Sequence, residues 1–130
     1  MAHNADVERI AEALVANCRE GKERDNLDAF YAEDAVSVEA MAPPGEDREK
    51  KGRAAIHAKH DWWEGAMEPL ESSLQGPFYD GGGRFSVIFA LKVKERASGN
   101  VVDMQEVALY TVEGGKIVRE EFFYDLTPPS

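Results

Sequence analysis

The chain has 130 residues, of which 15 are Lys or Arg and 25 are Asp or Glu, for a formal charge of -10 at pH 7. That length fits one domain over residues 1–130 with a core of its own, and that charge argues against phosphate backbones and anionic lipid, so neither nucleic acid nor a membrane is expected as a partner. The single Cys18 excludes an intramolecular disulfide, and no N-terminal run has the apolar core of a signal peptide or the length of a membrane span, which makes a cytoplasmic protein the simplest expectation.

Taken in order, Val7, Ile10, Ala11, Leu14, Val15 and Cys18 recur at the spacing of one helical face, with Asn4 as a candidate N-cap and Gly21 as a stop. Cys18 on that stripe reads as a small core residue rather than a reactive thiol. Asn26 is placed to cap a short second helix carrying Leu27, Phe30 and Tyr31, which breaks at Glu33 and Asp34 before the β-prone run from Ala35 to Glu39. Residues 41–51 combine two prolines, a glycine and dense charge, predicting an exposed loop with a short edge strand at its end. Gly52 then opens a third helix, with Ile56, His60, Trp63 and Met67 on one face and an end before Pro69.

Strand signals follow at 70–79 and 84–96, separated by the turn runs DGGGR and ASGN from their successors. The last, at 101–125, reads as a β-hairpin. On its first strand Val102, Met104, Glu106, Ala108 and Tyr110 share one face, opposite Val101, Asp103, Gln105, Val107 and Leu109. On its second, Val118, Glu120, Phe122 and Tyr124 oppose Ile117, Arg119, Glu121 and Phe123. Gly114 and Gly115 supply the positive φ of a two-residue turn. Helices first and sheet after imply an α+β domain, a strongly curved antiparallel sheet with helices on its concave side and frayed ends at 1–4 and 127–130.

Three segments in this order, YAEDAVSVEA (31–40), GRAAI (52–56) and EVALYTVEGGKIV (106–118), resemble the nuclear transport factor two superfamily. Its members include ketosteroid isomerases and SnoaL-like polyketide cyclases. The resemblance implies one SnoaL-like domain with a cystatin-like fold, a cone-shaped, strongly curved, mixed or antiparallel sheet wrapped around N-terminal helices. It also places Glu39 where ketosteroid isomerases carry the carboxylate that shuttles a proton, and Glu106 where they carry the acid that hydrogen-bonds the developing oxyanion. The tyrosine those isomerases place on the first helix is replaced by Leu14, so SnoaL-like members are the nearer comparison.

Each candidate has a plainer alternative. Glu39 is either a general base inside the cone or, with Ala35 and Ser37, part of the solvent-facing side of an amphipathic strand. Glu106 lies among apolar neighbours, either neutralised near a ligand or paired across strands with Arg119 or Lys92. Glu120 faces the same way unless a one-residue bulge exchanges it with Glu121. His60 is a titratable group beside a ligand or a satisfied core histidine. His57 with Asp61 and His60 with Glu64 have i,i+4 spacing, but no metal signature accompanies them, so neither a metal nor a cofactor is expected. Trp62 points away from Trp63, toward another element or a partner subunit.

The expected function is binding of a small apolar organic ligand with a carbonyl group, with acid/base turnover of isomerase, cyclase or hydratase type. Glu39, His60 and Glu106 are the catalytic candidates. Tyr31 and Trp63, with Met104, Tyr110, Glu120, Phe122 and Tyr124 of the hairpin, are the candidate ligand contacts. The rival is a ligand-binding or dimeric adaptor domain without turnover. A homodimer is expected on the convex sheet face through Val101, Val107, Leu109, Ile117 and Phe123.

Overall fold

A computed structural model describes residues 5–42 and 44–124. Three helices, α1 (Ala5–Arg19), α2 (Asp25–Phe30) and α3 (Arg53–Ala66), accompany six strands: β1 (Tyr31–Val38), β2 (Glu49–Lys51), β3 (Met67–Tyr79), β4 (Arg84–Glu95), β5 (Val101–Glu113) and β6 (Lys116–Tyr124). The strands form one curved, unclosed sheet in the order β2-β1-β6-β5-β4-β3, antiparallel except where β1 runs parallel to β6. The sheet is therefore mixed.

In α1 the apolar stripe predicted from spacing is the buried one, Val7, Ile10, Ala11, Leu14 and Val15. Asp6 and Glu8 at its start and Arg19 at its end complement the helix dipole. Gly21 stops it at φ 73, and Lys22 N–H reaches back to the Asn17 carbonyl at 2.8 Å, the six-to-one bond of a Schellman ending. The proposed cap Asn4, like residues 1–4 and 127–130, lies outside the described residues.

Asn26 does not cap α2. It lies within the helix, buried, where its Oδ1 accepts from Asn17 Nδ2 at 2.8 Å and its Nδ2 donates to Cys18 Sγ at 3.7 Å, tying α2 to α1. Tyr31 is the first residue of β1 rather than the last of the helix. The third helix stops one residue earlier than its apolar periodicity, because Met67 already pairs with Glu95 in the β3–β4 ladder. Pro69 follows inside β3, an edge strand, where a missing N–H is tolerated. Arg96 falls just beyond β4.

The hairpin turn is as expected, with φ of 58 at Gly114 and 76 at Gly115, both positive as a type I′ turn requires. The register beyond it is not. Thr111 pairs with Arg119 but Val112 pairs with Ile117, leaving Val118 as an extra residue in β6. This bulge breaks the simple alternation, so Ile117 turns inward and is fully buried while Glu120 remains inward as well. Ile117 therefore leaves the convex set.

Candidate functional site

Side by side across the sheet, Phe85 pairs with Tyr110, Tyr110 with Glu120, and Glu120 with Ser37. All four are buried, with Phe85 and Tyr110 stacked at 4.8 Å between ring centroids. Only one member of that row carries a formal charge, and at 2% exposure Glu120 needs partners for both oxygens. Tyr31 OH donates to Oε1, while Ser37 Oγ donates to Oε2 at 2.6 Å. Burial, and then the nearby Glu120, push the Tyr31 hydroxyl well above its ordinary pKa, so it remains a donor.

Lys59, on α3, closes this chain. Its Nζ donates to Ser37 Oγ at 2.6 Å, lies 3.4 Å from Glu120 Oε2, and pairs with Glu39 Oε1 at 2.7 Å. The same ammonium sits 4.7 Å from the centroid of the Phe122 ring. At 27% and 20% side-chain exposure, Glu39 and Lys59 reach the boundary between the interior and solvent.

Farther along the same face of β5, beyond fully buried Ala108, Glu106 pairs with Phe89 on one side and Tyr124 on the other. Burial first, and then the negative charge of Glu39, push its carboxyl up to about 7, with Lys59 acting in the opposite direction. Tyr124 is raised too, first by burial and then by Glu39 and Glu106. His60, half-buried next to Lys59 on α3, is lowered chiefly by burial, which favours the neutral imidazole at pH 7.

The SnoaL-like domain family matches residues 5–124, nearly the full chain. The chain belongs to that family. Among solved structures, this SnoaL-like domain is similar to a candidate SnoaL-like polyketide cyclase of Mesorhizobium loti, at 33% identity and TM-score 0.84 over 91% of this chain and 98% of that one. An NTF2-like protein of unknown function from Burkholderia pseudomallei shares the fold at 18% identity and TM-score 0.72, over 94% and 92% of the two chains. A protein of ketosteroid isomerase-like fold from Catenulispora acidiphila, solved with trimethylamine, shares it at 16% identity and TM-score 0.69, over 90% and 85%. No curated protein matches the chain.

In this SnoaL-like domain the solvent-facing alternative for β1 is overturned, since Ala35 and Ser37 are fully buried and the Glu39 carboxylate is held by Lys59. The cross-strand pairs considered for Glu106 do not form: Lys92 is 3.9 Å from Glu71, and Arg119 pairs with Glu49 and Glu121. Glu120 is the inward member, not Glu121, although a bulge does precede it.

The remaining contacts divide. Tyr31 and Tyr110 are buried and belong to the core around Glu120, whereas Trp63, Met104, Phe122 and Tyr124 are partly exposed. His57 and Asp61 do not face each other as ligands: His57 Nε2 is 3.0 Å from Asp28, and Arg24 takes Asp61 at 2.9 Å and Glu64 at 3.1 Å. Burial also pushes the Cys18 thiol up to about 12, matching an inert core residue.

Lys59 was missed by sequence reasoning because a lysine beside an apolar stripe normally reads as a solvated flank. A signal was available in its spacing, three residues after Ile56 and four before Trp63. Two open surface depressions, one of about 530 Å³ bounded by Trp62, Met67 and Arg96 and one of about 840 Å³ bounded by Glu33, Val36 and Lys51, are lined by none of Glu39, His60 or Glu106. Trp62, 66% exposed, edges the first of these.

Proposed function

We propose that this SnoaL-like domain binds a small apolar carbonyl compound beside Glu39 and Glu106 and moves a proton on it, as an isomerase, cyclase or hydratase does. The observation that carries this reading is the pairing of unlike carboxyl groups: Glu39 in an ion pair with Lys59, and Glu106 with its carboxyl near 7. Two carboxyl groups with separated environments divide acid and base roles, and a pKa near the operating pH suits proton transfer.

In this reading the Glu39 carboxylate takes a proton from the carbon next to the carbonyl. The electron pair moves onto the carbonyl oxygen, and protonated Glu106 donates a hydrogen bond to that oxygen. Neutral His60 orients the ligand through its ring N–H. With Glu106 protonated, the two carboxylates Glu39 and Glu120 against one ammonium still leave the region a surplus of negative charge, which disfavours a carboxylate or phosphate ligand.

The test is deuterium uptake next to the carbonyl in a panel of small cyclic ketones, followed by NMR. Glu39→Gln keeps the shape and removes the base, so uptake is expected to fall by about two orders of magnitude or more with affinity little changed. Unchanged uptake across the pH range would return Glu39 to a purely structural role.

A second reading, a binding or adaptor domain without turnover, is favoured by the filling of the interior by Tyr31, Glu120, Ser37 and Lys59 and by the position of the two depressions. Ketone binding with no uptake by the wild-type protein would select it. Both readings include a homodimer on the convex face, supported by exposed Val101, Val107 and Phe123.

A further inference from the structure

We propose that Lys59 is the positioning residue of this site, fixing the Glu39 carboxylate and coupling it through Ser37 to buried Glu120. The proposal rests on the acid/base reading above only for its catalytic meaning; the coupling itself is a property of the ligand-free protein.

A lysine ammonium has three protons and no acceptor, and here three oxygens lie within reach: Glu39 Oε1 at 2.7 Å, Ser37 Oγ at 2.6 Å and Glu120 Oε2 at 3.4 Å. Two hydrogen bonds and an ion pair thus tie the ammonium to the protein's own oxygens. Lys59 is therefore placed to orient acidic groups rather than to bind a carbonyl oxygen itself. Its stem leaves α3 between buried Ile56 and half-buried Trp63, and its ammonium rests against Phe122 at 4.7 Å, so packing and charge fix it together.

The helix beneath it is fixed as well. Arg24 reaches Asp61 and Glu64 on α3, and His57 reaches Asp28 on α2. Glu39 itself lies one residue past the end of β1, where the sheet no longer sets its direction. Its backbone is held by Arg48, whose carbonyl accepts from Glu39 N–H at 2.9 Å and whose Nε donates to the Glu39 carbonyl at 2.9 Å. Lys59 is the cation that holds its side chain.

The electrostatic consequence falls on Glu106. It is faced by Glu39 from just beyond β1, Lys59 from α3, Glu120 and Tyr124 from β6, and Tyr110 on its own strand. Burial and then Glu39 push the Glu106 carboxyl up, and Lys59 opposes them, so its charge lowers the pH at which Glu106 gains and loses its proton.

The experiment is a carboxyl-carbon NMR titration of Glu106 without ligand in wild type, Lys59→Met and Lys59→Arg. Removing the charge is expected to raise the Glu106 midpoint by on the order of one pH unit, and Arg is expected to bring it back close to wild type. An unmoved midpoint in folded Lys59→Met, or an equal displacement in Lys59→Arg, would overturn the proposal. Should Lys59→Met fail to give a cooperative melt, Glu39→Gln replaces it. The Lys59 ammonium protons are then expected to exchange with water several-fold faster, and exchange as slow as in wild type overturns the proposal. No substrate enters these measurements. Absence of ketone turnover therefore defeats the catalytic reading alone, and an unmoved midpoint defeats the Lys59 assignment alone.

Discussion

Glu120 shows what one buried charge demands of its neighbours. Its oxygens are divided between Tyr31 on one side and Ser37 with Lys59 on the other. Removing one donor leaves a buried charge short of a partner, so Tyr31→Phe and Ser37→Ala should each lower stability by roughly 1.5–3 kcal/mol in urea unfolding. In a Glu120→Ala background Tyr31→Phe should cost much less, and an unchanged cost in that double-mutant cycle would mean that Tyr31 acts by packing alone.

Glu106 acts in the opposite sense. Its folded pKa, about 7, lies above the ordinary 4.5, so its contribution is fully present below 4.5 and is lost as pH rises through 7. Between those values the balance should move by up to roughly 3 kcal/mol in favour of Glu106→Gln, whose side chain does not titrate. Melts at pH 4.5 and pH 8 would read this, and a pH-independent difference would show the carboxyl to be well solvated. His60 has the reverse dependence: with its folded pKa lowered, its stability is present above the ordinary 6.5 and is lost as pH falls.

Among the elements, the β5–β6 hairpin carries the greatest burden because its register decides which side chains face inward. The type I′ turn places positive φ at both central residues, so Gly114→Ala should cost about 1 kcal/mol, with no contact to compensate, since a Cβ there meets nothing within 4 Å. A melt as high as wild type would show that the turn relaxes to another type.

The 41–51 segment differs in kind. Among its described residues, the three of β2 pair with one strand, β1. The segment's amides should therefore exchange faster than those of Val107 and Leu109, which lie between two ladders. Equal protection would mean that the segment is packed and does not open beside Glu39.

On the scale of the whole molecule, the convex face has a surplus of apolar surface around Val101, Val107 and Phe123, with Leu109 half-buried beside them. Phe123 is 46% exposed and projects from β6 next to Val107, with which it pairs. If this face joins two copies, light scattering should give twice the monomer mass at micromolar concentration, and Phe123→Glu should halve it by burying a charge in an apolar contact. A monomeric wild type would end that proposal. No described helix is long and apolar enough to cross a membrane.

The elements and their order follow from local properties of the chain: the 3.6 and 2.0 periodicities of Val7 to Leu14 and of Met104 to Tyr110, with Gly21, Gly114 and Gly115 as punctuation. Family motifs added the cone and pointed to Glu39 and Glu106. Register and partnership depend instead on pairings between strands, which the folded sheet decides. The extra residue at Val118 turned Ile117 into the core, and the parallel pairing of β1 with β6 brought Ser37 beside Glu120, two strands far apart in sequence. Lys59 acquired its meaning from that meeting alone. A lysine on a helix flank is indifferent until three acceptors from two strands converge on it, and such convergence follows from how the sheet curves under α3 rather than from any neighbour in the sequence.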